Sequence, residues 1–392
     1  MDLSNGILIK KTREAFLSKF LSNPIMVVSP GRVNLMGDHT DYNEGFVLPA
    51  AIDKVISLAV GHNNTRIVRA FSIDMNEYVE IDLNQETVEQ EYHWAKYLSG
   101  VIFELKKKGI KIEGFDLVFG GNIPIGAGLS SSAALEGGIL LGIKKLFGFE
   151  LSKIEMAKIG QLTEHNHVGV RCGIMDQFIN IHGEKGSALK LDCKSLDYEL
   201  VPFDLEDLRI VLCNSLVTHN LASSEYNIRR NQCEEGIKVL RKYIPSIQSL
   251  RDVSLELLEE FKDELSAISY QRCKFVLEEN QRVIDGCKAL EVGDIASFGK
   301  LMFASHEGLS KDYKVSCEEL DILIEIAKEL PGLVGARMMG GGFGGCTINL
   351  VNKNLVNDFS NSISEQYKER TGIDTEIYIT KVGEGVHLGD EY

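Results

Sequence analysis

Three stretches of this chain carry more chemistry than a fold by itself needs. The first, "PIGAGLSSSAALEGG" from Pro124 to Gly138, sets Gly126, Gly128 and the hydroxyls of Ser130, Ser131 and Ser132 directly ahead of an apolar run with helical character. Glycine lets the backbone curl and turn its N–H groups outward, and a helix start adds unpaired N–H groups and the positive end of the helix dipole, so the combination suits a polyphosphate. The same residues would also serve as an ordinary capped helix start. No GxxxxGK[ST] occurs in the chain, which excludes a P-loop with its lysine. The second stretch, "SPGRVNLMGDHTDYNEGFVLP" from Ser29 to Pro49, gathers Arg32, Asp38, His39 and Asp41 within ten residues. Carboxylates and imidazole offer hydrogen-bonding edges for the hydroxyls of a sugar, and a guanidinium matches a phosphate. A surface ion pair for Arg32 and a turn position for Asp41 are the plainer alternatives.

The third stretch, "GGGFGG" from Gly340 to Gly345, formally contains GxGxxG, but a dinucleotide fingerprint needs a strand before it and a helix after it. "CTINLV" follows and has strand character, so the cluster joins two strands and argues against a nicotinamide or flavin oxidoreductase. Its backbone, free of side chains, is expected to let a ligand or another segment come close, the serine loop included.

Strands and helices must bring these clusters together. A helix is expected near residues 8 to 22, then strands at "IMVVS", "FVLPAAI", "VISLAVGH", "TRIVRAF" and "YVEIDL". Helices over 92 to 107, 131 to 146 and 152 to 168 alternate with strands at "FDLVFGG" and "SALKLDC". From "LRIVLCNS" the order becomes a strand, several helices to about 329, two strands around "GARMMGGGFGGCTINLV", a helix and a last strand "TEIYITKV". A length of 392 residues exceeds what one core usually supports, so two domains are expected, 1–205 and 206–392, with the ligand site in the cleft between them.

Composition narrows the function classes. With 57 acidic against 42 basic residues the net charge is −15, and no basic patch offsets it, so nucleic acid and anionic membranes are disfavoured as partners. The eight cysteines are scattered without CxxC pairs, which points to cytosolic thiols and to neither a disulfide framework nor a zinc site. The opening "MDLSNGILIKKTREAF" has no apolar signal core, and no segment approaches the roughly 18 apolar residues of a membrane span, so a soluble cytoplasmic protein is expected.

In this order and at this spacing, the three clusters resemble the motifs of the GHMP family of small-molecule kinases: "GRVNLMGDHTDYN" the first, "PIGAGLSSSAA" the second, "GGGFGGCT" the third. "RCGIMDQF" at 171 to 178, "LASSEYNIRRNQCE" at 221 to 234 and "SHEGLSKDYKVSCEELD" at 305 to 321 are similar to the galactokinase branch rather than to mevalonate or homoserine kinases. The resemblance runs from about residue 25 to 350. It implies an α+β fold in two domains with the active site in the interdomain cleft. The implied reaction is ATP-dependent phosphorylation of D-galactose at its anomeric hydroxyl, giving α-D-galactose 1-phosphate and ADP.

What the resemblance implies for single residues follows from the matched motifs. The loop that wraps the ATP phosphates in galactokinases corresponds to Pro124, Gly126, Ala127, Gly128, Leu129, Ser130, Ser131 and Ser132. "HWAKY" matches the adenine pocket, placing Trp94 and Tyr97 beside the base, with plain core as the alternative for Trp94. Ser132 and Glu164 match the Mg²⁺ contacts. Arg32, Asp38, His39, Asp41, Gly173, Asp176 and Tyr226 match the galactose site, Asp41 facing the 3- and 4-hydroxyls. Asp176 and Arg32 form the catalytic pair at the 1-hydroxyl. Whether Asp176 takes the proton or mainly positions the hydroxyl stays open, because a loose phosphoryl-transfer transition state asks little of a base. Asp38 stands where galactokinases usually carry glutamate, whose carboxylate reaches toward the 6-hydroxyl, so a less strict reading of the 6-position is expected. A kinase for N-acetylgalactosamine or L-arabinose and a non-catalytic galactokinase-like sugar sensor remain as alternatives. The intact "GLSSSAA" loop with Asp176 and Arg32 disfavours the sensor. No protein partner is implied.

Overall fold

In the computed structural model, residues 3–85, 92–124, 126–203, 206–218 and 222–389 are described. The chain begins with α1 (Leu3–Lys19), β1 (Ile25–Asn34), β2 (Phe46–Val47), β3 (Pro49–His62), β4 (Ile67–Ser72) and β5 (Glu77–Asp82). It continues through α2 (His93–Lys107), β6 (Phe115–Gly121), α3 (Ser131–Phe147), α4 (Lys153–Thr163), α5 (Met175–His182), β7 (Ser187–Asp192) and β8 (Tyr198–Pro202). The second half holds β9 (Leu208–Thr218), α6 (Ala222–Tyr243), α7 (Leu255–Glu260), α8 (Ala267–Glu291), α9 (Ile295–Gly308) and α10 (Glu318–Glu329). β10 (Leu333–Met338), β11 (Gly344–Asn352), α11 (Val356–Thr371), β12 (Glu376–Thr380) and β13 (His387–Leu388) complete it.

Among the described residues three sheets form, in the orders β13-β1-β3-β6-β4-β5, β10-β11-β9-β12 and β2-β7-β8. All pairings are antiparallel except β4 with β6. Pro30 cannot donate to a ladder, and the β1–β3 register shifts between Pro30 and Arg32. That irregularity turns the end of β1, where the first motif begins, out of the regular ladder. A Cβ on Gly31 would meet the Leu129 carbonyl at 2.8 Å, and its absence lets the Arg32 N–H bond that carbonyl at 3.1 Å. Helix α3 is held against the same sheet by missing side chains. A Cβ on Gly138 would meet Leu58 at 2.4 Å and one on Gly142 would meet Val60 at 2.8 Å. The first and second motifs are therefore locked together before any ligand is considered.

Several elements differ from the sequence expectation. "FVLPAAI" and "VISLAVGH" merge into one long β3 behind the two-residue β2, because the polar break at Asp53 is no turn: its carboxylate accepts from the Thr380 hydroxyl at 2.6 Å. The first helix starts and ends earlier than 8 to 22. The helix over 152 to 168 gives way after Thr163 to one π turn, Glu164–Val168, closed by Gly169 at φ +88°. β12 is not the last strand, since β13 returns to pair with β1. The expected division near residue 205 lies outside the described residues, and the tail of the second half belongs to the first sheet. One apolar cluster joins Leu58, Ile139 and Phe178 to Phe298, Met302 and Leu350, so the halves share a core. No helix among the described residues is long and apolar enough to cross a membrane.

Candidate active site

Two cavities meet at the junction of the motifs. The smaller, about 290 Å³, is lined by all seven residues expected at the sugar: Arg32, Asp38, His39, Asp41, Gly173, Asp176 and Tyr226. Ser132, Glu164 and Tyr97 line it too, and Gly340 and Gly341 of the third motif close it. The larger, about 510 Å³, is lined by Trp94, Tyr97, Ser131 and Ser132 together with apolar residues such as Ile56, Phe119 and Leu135. Tyr97 and Ser132 belong to both walls, which makes them the partition.

Asp176, in the first turn of α5, is gripped from two motifs. Arg32 donates to it through Nε at 2.8 Å and Nη2 at 2.9 Å, a bidentate clamp, and through Nη1 to the Gly128 carbonyl at 2.5 Å. The Ser130 hydroxyl donates to Asp176 as well. Ser130 stands in the left-handed region at φ 56°, a conformation serine adopts only where its surroundings impose it. Its hydroxyl is thus turned to Asp176, although Ser130 itself lines neither cavity; Ser131 lines the larger and Ser132 both.

Pro124, Gly126, Ala127, Gly128 and Leu129 line neither cavity. Ala127 and Leu129 are buried, so neither presents its side chain to a ligand. Gly126 at φ +77° and Gly128 at φ +71° give the loop its curl. The third motif joins β10 to β11, as expected, and lies against this loop: a Cβ on Gly340 would stand 3.7 Å from the Gly128 carbonyl.

The Asp41 carboxylate has room only because residue 173 is glycine, where a Cβ would fall 1.8 Å from Oδ2. Burial, then the charge on Asp176, pushes the Asp41 carboxyl up to about 7. His39 is fixed at both ring nitrogens. Nε2 faces the Gly341 carbonyl at 3.2 Å and must carry the proton, so Nδ1 accepts from the Tyr42 hydroxyl at 2.7 Å. Burial holds this imidazole down to about 3, hence neutral. Tyr42 in turn meets the Tyr313 hydroxyl at 2.8 Å, while Tyr226 packs its ring 5.2 Å from that of His39.

Asp38 sits on the wall with its carboxylate held by Arg337 and by the Gly340 N–H at 3.2 Å. Burial pushes the Glu164 carboxyl up to about 7, and Ser132 bonds it. Trp94 is both wall and core: its indole N–H donates to Glu77 at 2.5 Å and its ring meets Phe119 edge-on at 5.0 Å. Sequence reasoning missed Arg337, Tyr42 and Tyr313. Arg337 had a signal, a lone charge in the otherwise uncharged strand "LVGARM".

An anion-suited loop beside a pocket lined with carboxylates defines a small-molecule kinase site, and comparison with known proteins agrees. Residues 14–62 match the galactokinase galactose-binding signature, 96–184 the GHMP kinases N terminal domain and 287–369 the GHMP kinases C terminal. The galactokinase of Thermotoga maritima is 43% identical over 92% of this chain and 99% of its own, and that of Roseiflexus sp. is 39% identical over 95% of each. The crystal structure of Lactococcus lactis galactokinase complexed with galactose superposes with a TM-score of 0.92 at 36% identity, covering 96% of this chain and 99% of that one. Methanococcus jannaschii mevalonate kinase, at 21% identity and a TM-score of 0.65, shares the fold. The chain belongs to the galactokinase family of GHMP kinases.

Proposed function

We propose that this chain is an ATP-dependent galactokinase that phosphorylates D-galactose at its anomeric hydroxyl, giving α-D-galactose 1-phosphate and ADP. The observation that carries the reading is the pair of abutting cavities, with Asp176 gripped by Arg32 beside their shared wall. The sugar oxygen forms a bond to the γ-phosphorus as the bond from that phosphorus to the β-phosphate oxygen breaks. Asp176 holds the reacting hydroxyl and is the acceptor for its proton, with positioning as its larger contribution. The Arg32 guanidinium fixes Asp176 and offsets charge on the moving phosphoryl group. Asp41, Asp38, His39, Gly173 and Tyr226 hold the rest of the sugar, and a site built to satisfy hydroxyls rejects an analogue that leaves its buried acceptors unmet. Trp94 and Tyr97 take the adenine, and the loop from Pro124 to Ser132 the phosphates.

A divalent cation fits the donor set. Ser132 and Glu164 give a hydroxyl and a carboxylate on one wall, and no group of three or more His, Cys, Asp or Glu among the described residues forms a cage. Mg²⁺ keeps water and phosphate oxygens as ligands, so two protein oxygens suffice. Bound there, it would neutralise charge on the phosphates. We assign the enzyme to the cytoplasm, where its eight cysteines, all free, stay reduced, and we divide it near residue 205. A coupled ADP-release assay on D-galactose, N-acetylgalactosamine, L-arabinose and glucose tests the reading. Highest kcat/KM on galactose is expected, and galactose binding without turnover on any sugar would make the chain a sensor.

A further inference from the structure

Arg337, on β10, is the largest side chain fully buried among the described residues. A guanidinium in that setting persists only when paired. Its partner is Asp38, whose Oδ2 takes Nη2, while Nη1 reaches the Asn34 carbonyl at 3.5 Å and Nε has no partner. The other oxygen of Asp38 takes the Gly340 N–H at 3.2 Å. Both groups that hold Asp38 therefore come from the second half of the chain, although Asp38 stands on the sugar cavity's wall beside His39 and Asp41. Arg337 itself does not line the cavity.

We propose that Arg337 is a positioning residue for sugar binding: its ion pair fixes where the Asp38 carboxylate stands on the cavity wall. The inference rests on the cavity being the sugar site. Burial leaves the Asp38 carboxyl above the ordinary carboxylate range even with Arg337, the strongest opposing charge, beside it. The other charged groups acting on Asp38 are Arg32 and Glu279. Arg32 is spent on Asp176, and Glu279 is held by Arg282, the Ser305 hydroxyl and the Gly37 N–H. Without Arg337 the Asp38 side chain would lose one of its two anchors and keep the Gly340 N–H, leaving it free to turn from its place on the cavity wall.

Four variants test this: Arg337→Met, Arg337→Lys, Asp38→Asn and the double variant Arg337→Met/Asp38→Asn. Arg337→Met is expected to raise KM for galactose by about three- to tenfold, the scale of one hydrogen bond, with KM for ATP within about twofold. Arg337→Lys should recover part of the affinity, because it keeps the charge. The double variant should be no worse than the poorer single one, since both changes remove the same interaction. A folded Arg337→Met that binds galactose within twofold of the parent overturns the proposal, as do single effects that multiply in the double variant. If Arg337→Met does not fold, Arg337→Lys and the double variant decide: lysine outperforming the double supports the proposal, and equal affinity overturns it. Titrating the parent with galactose separates the claims. A parent that does not bind galactose fails the functional reading, whereas binding in the parent equalled by Arg337→Met fails the Arg337 assignment alone.

Discussion

The two cavities share a wall and little else. The smaller cavity draws Tyr226, Gly340 and Gly341 from the second half, and Arg32, Asp38, His39 and Asp176 on its wall are each held by a partner before any ligand enters. The larger cavity is lined from the first half alone; Asp74, Glu77 and His93 stand at its wall, but most of it is apolar side chains such as Ile56, Trp94, Phe119, Ile123 and Leu135. A hydroxylated ring needs fixed directional partners, whereas a flat base is held largely by contact area, and on the proposed function the two regions answer those different needs. Single-atom changes should then act steeply in the first and gradually in the second.

The largest expected effect is in the polar cavity. Asp176→Asn should lower kcat roughly 10²-fold or more while leaving nucleotide binding within about twofold, because in the proposed reaction the lost group faces the reacting hydroxyl. Calorimetry with ADP beside steady-state kinetics checks both halves of the statement. Near-normal turnover would remove Asp176 from the chemistry, and an equal loss of ADP affinity would erase the contrast between the cavities.

Next comes Gly173→Ala. Its methyl group would fall 1.8 Å from Asp41 Oδ2, so the carboxylate must move. Overpacking of that kind costs roughly 1–3 kcal/mol. We expect it to appear as a raised galactose KM with KM for ATP unchanged, and an unaltered galactose KM would mean that the Asp41 position is not read by the sugar.

How much of this was legible in the sequence follows from the physics of each element. The serine loop, the first motif and the interstrand place of "GGGFGG" were visible because their signals are local: glycines, hydroxyls and the strand that follows. The Arg337–Asp38 pair was not, because it joins residues 299 positions apart and depends on how β10 packs behind the first motif. The left-handed Ser130 was missed for a similar reason. Serine at a helix start suggests a cap, and only the approach of α5 shows its hydroxyl bonded to Asp176. The merging of two strands into β3 likewise depends on Thr380, which no local window contains.

A pH series sharpens the comparison. With its carboxyl pushed up to about 7 by burial and by the Asp176 charge, Asp41 is protonated at pH 6 and ionised at pH 8. If it accepts sugar hydroxyls as a carboxylate, galactose affinity should strengthen about tenfold between those values, following the ionised fraction. The sign for stability is opposite. A raised carboxyl pKa contributes stability below the unfolded value that is lost as pH rises through about 7, so the sugar-free protein should lose stability from this group toward pH 8. Galactose should then raise Tm more at pH 8 than at pH 6. Burial also pushes Glu164 up to about 7, so Asp41→Asn serves as the reference that subtracts the other groups. The same pH trend in that variant would acquit Asp41.

A smaller effect is expected at Asp38. Held toward β10 by Arg337 and Gly340, the shorter carboxylate should discriminate weakly at the sugar's 6-position. Galactose is expected to exceed 6-deoxy-D-galactose in kcat/KM by less than about tenfold, the scale of one hydrogen bond, and Asp38→Glu should widen the gap. Equal ratios in the two proteins would make Asp38 a neutral replacement.

The smallest effect belongs to Trp94, and it tests the apolar cavity directly. The indole is 5% exposed, packed on Phe119 and tied to Glu77, so a base can meet only part of it. Trp94→Phe keeps an aromatic ring there but removes the N–H that Glu77 accepts. Losing one such bond costs about 1 kcal/mol, which caps the loss of ATP affinity near fivefold. Because Trp94 is the chain's one tryptophan, its emission in the parent reports on this cavity alone. ADP should shift that emission more than galactose does, since the sugar reaches only the shared wall at Tyr97 and Ser132. If galactose shifts it as much as ADP, the partition between the cavities transmits sugar binding, and the two regions respond as one site.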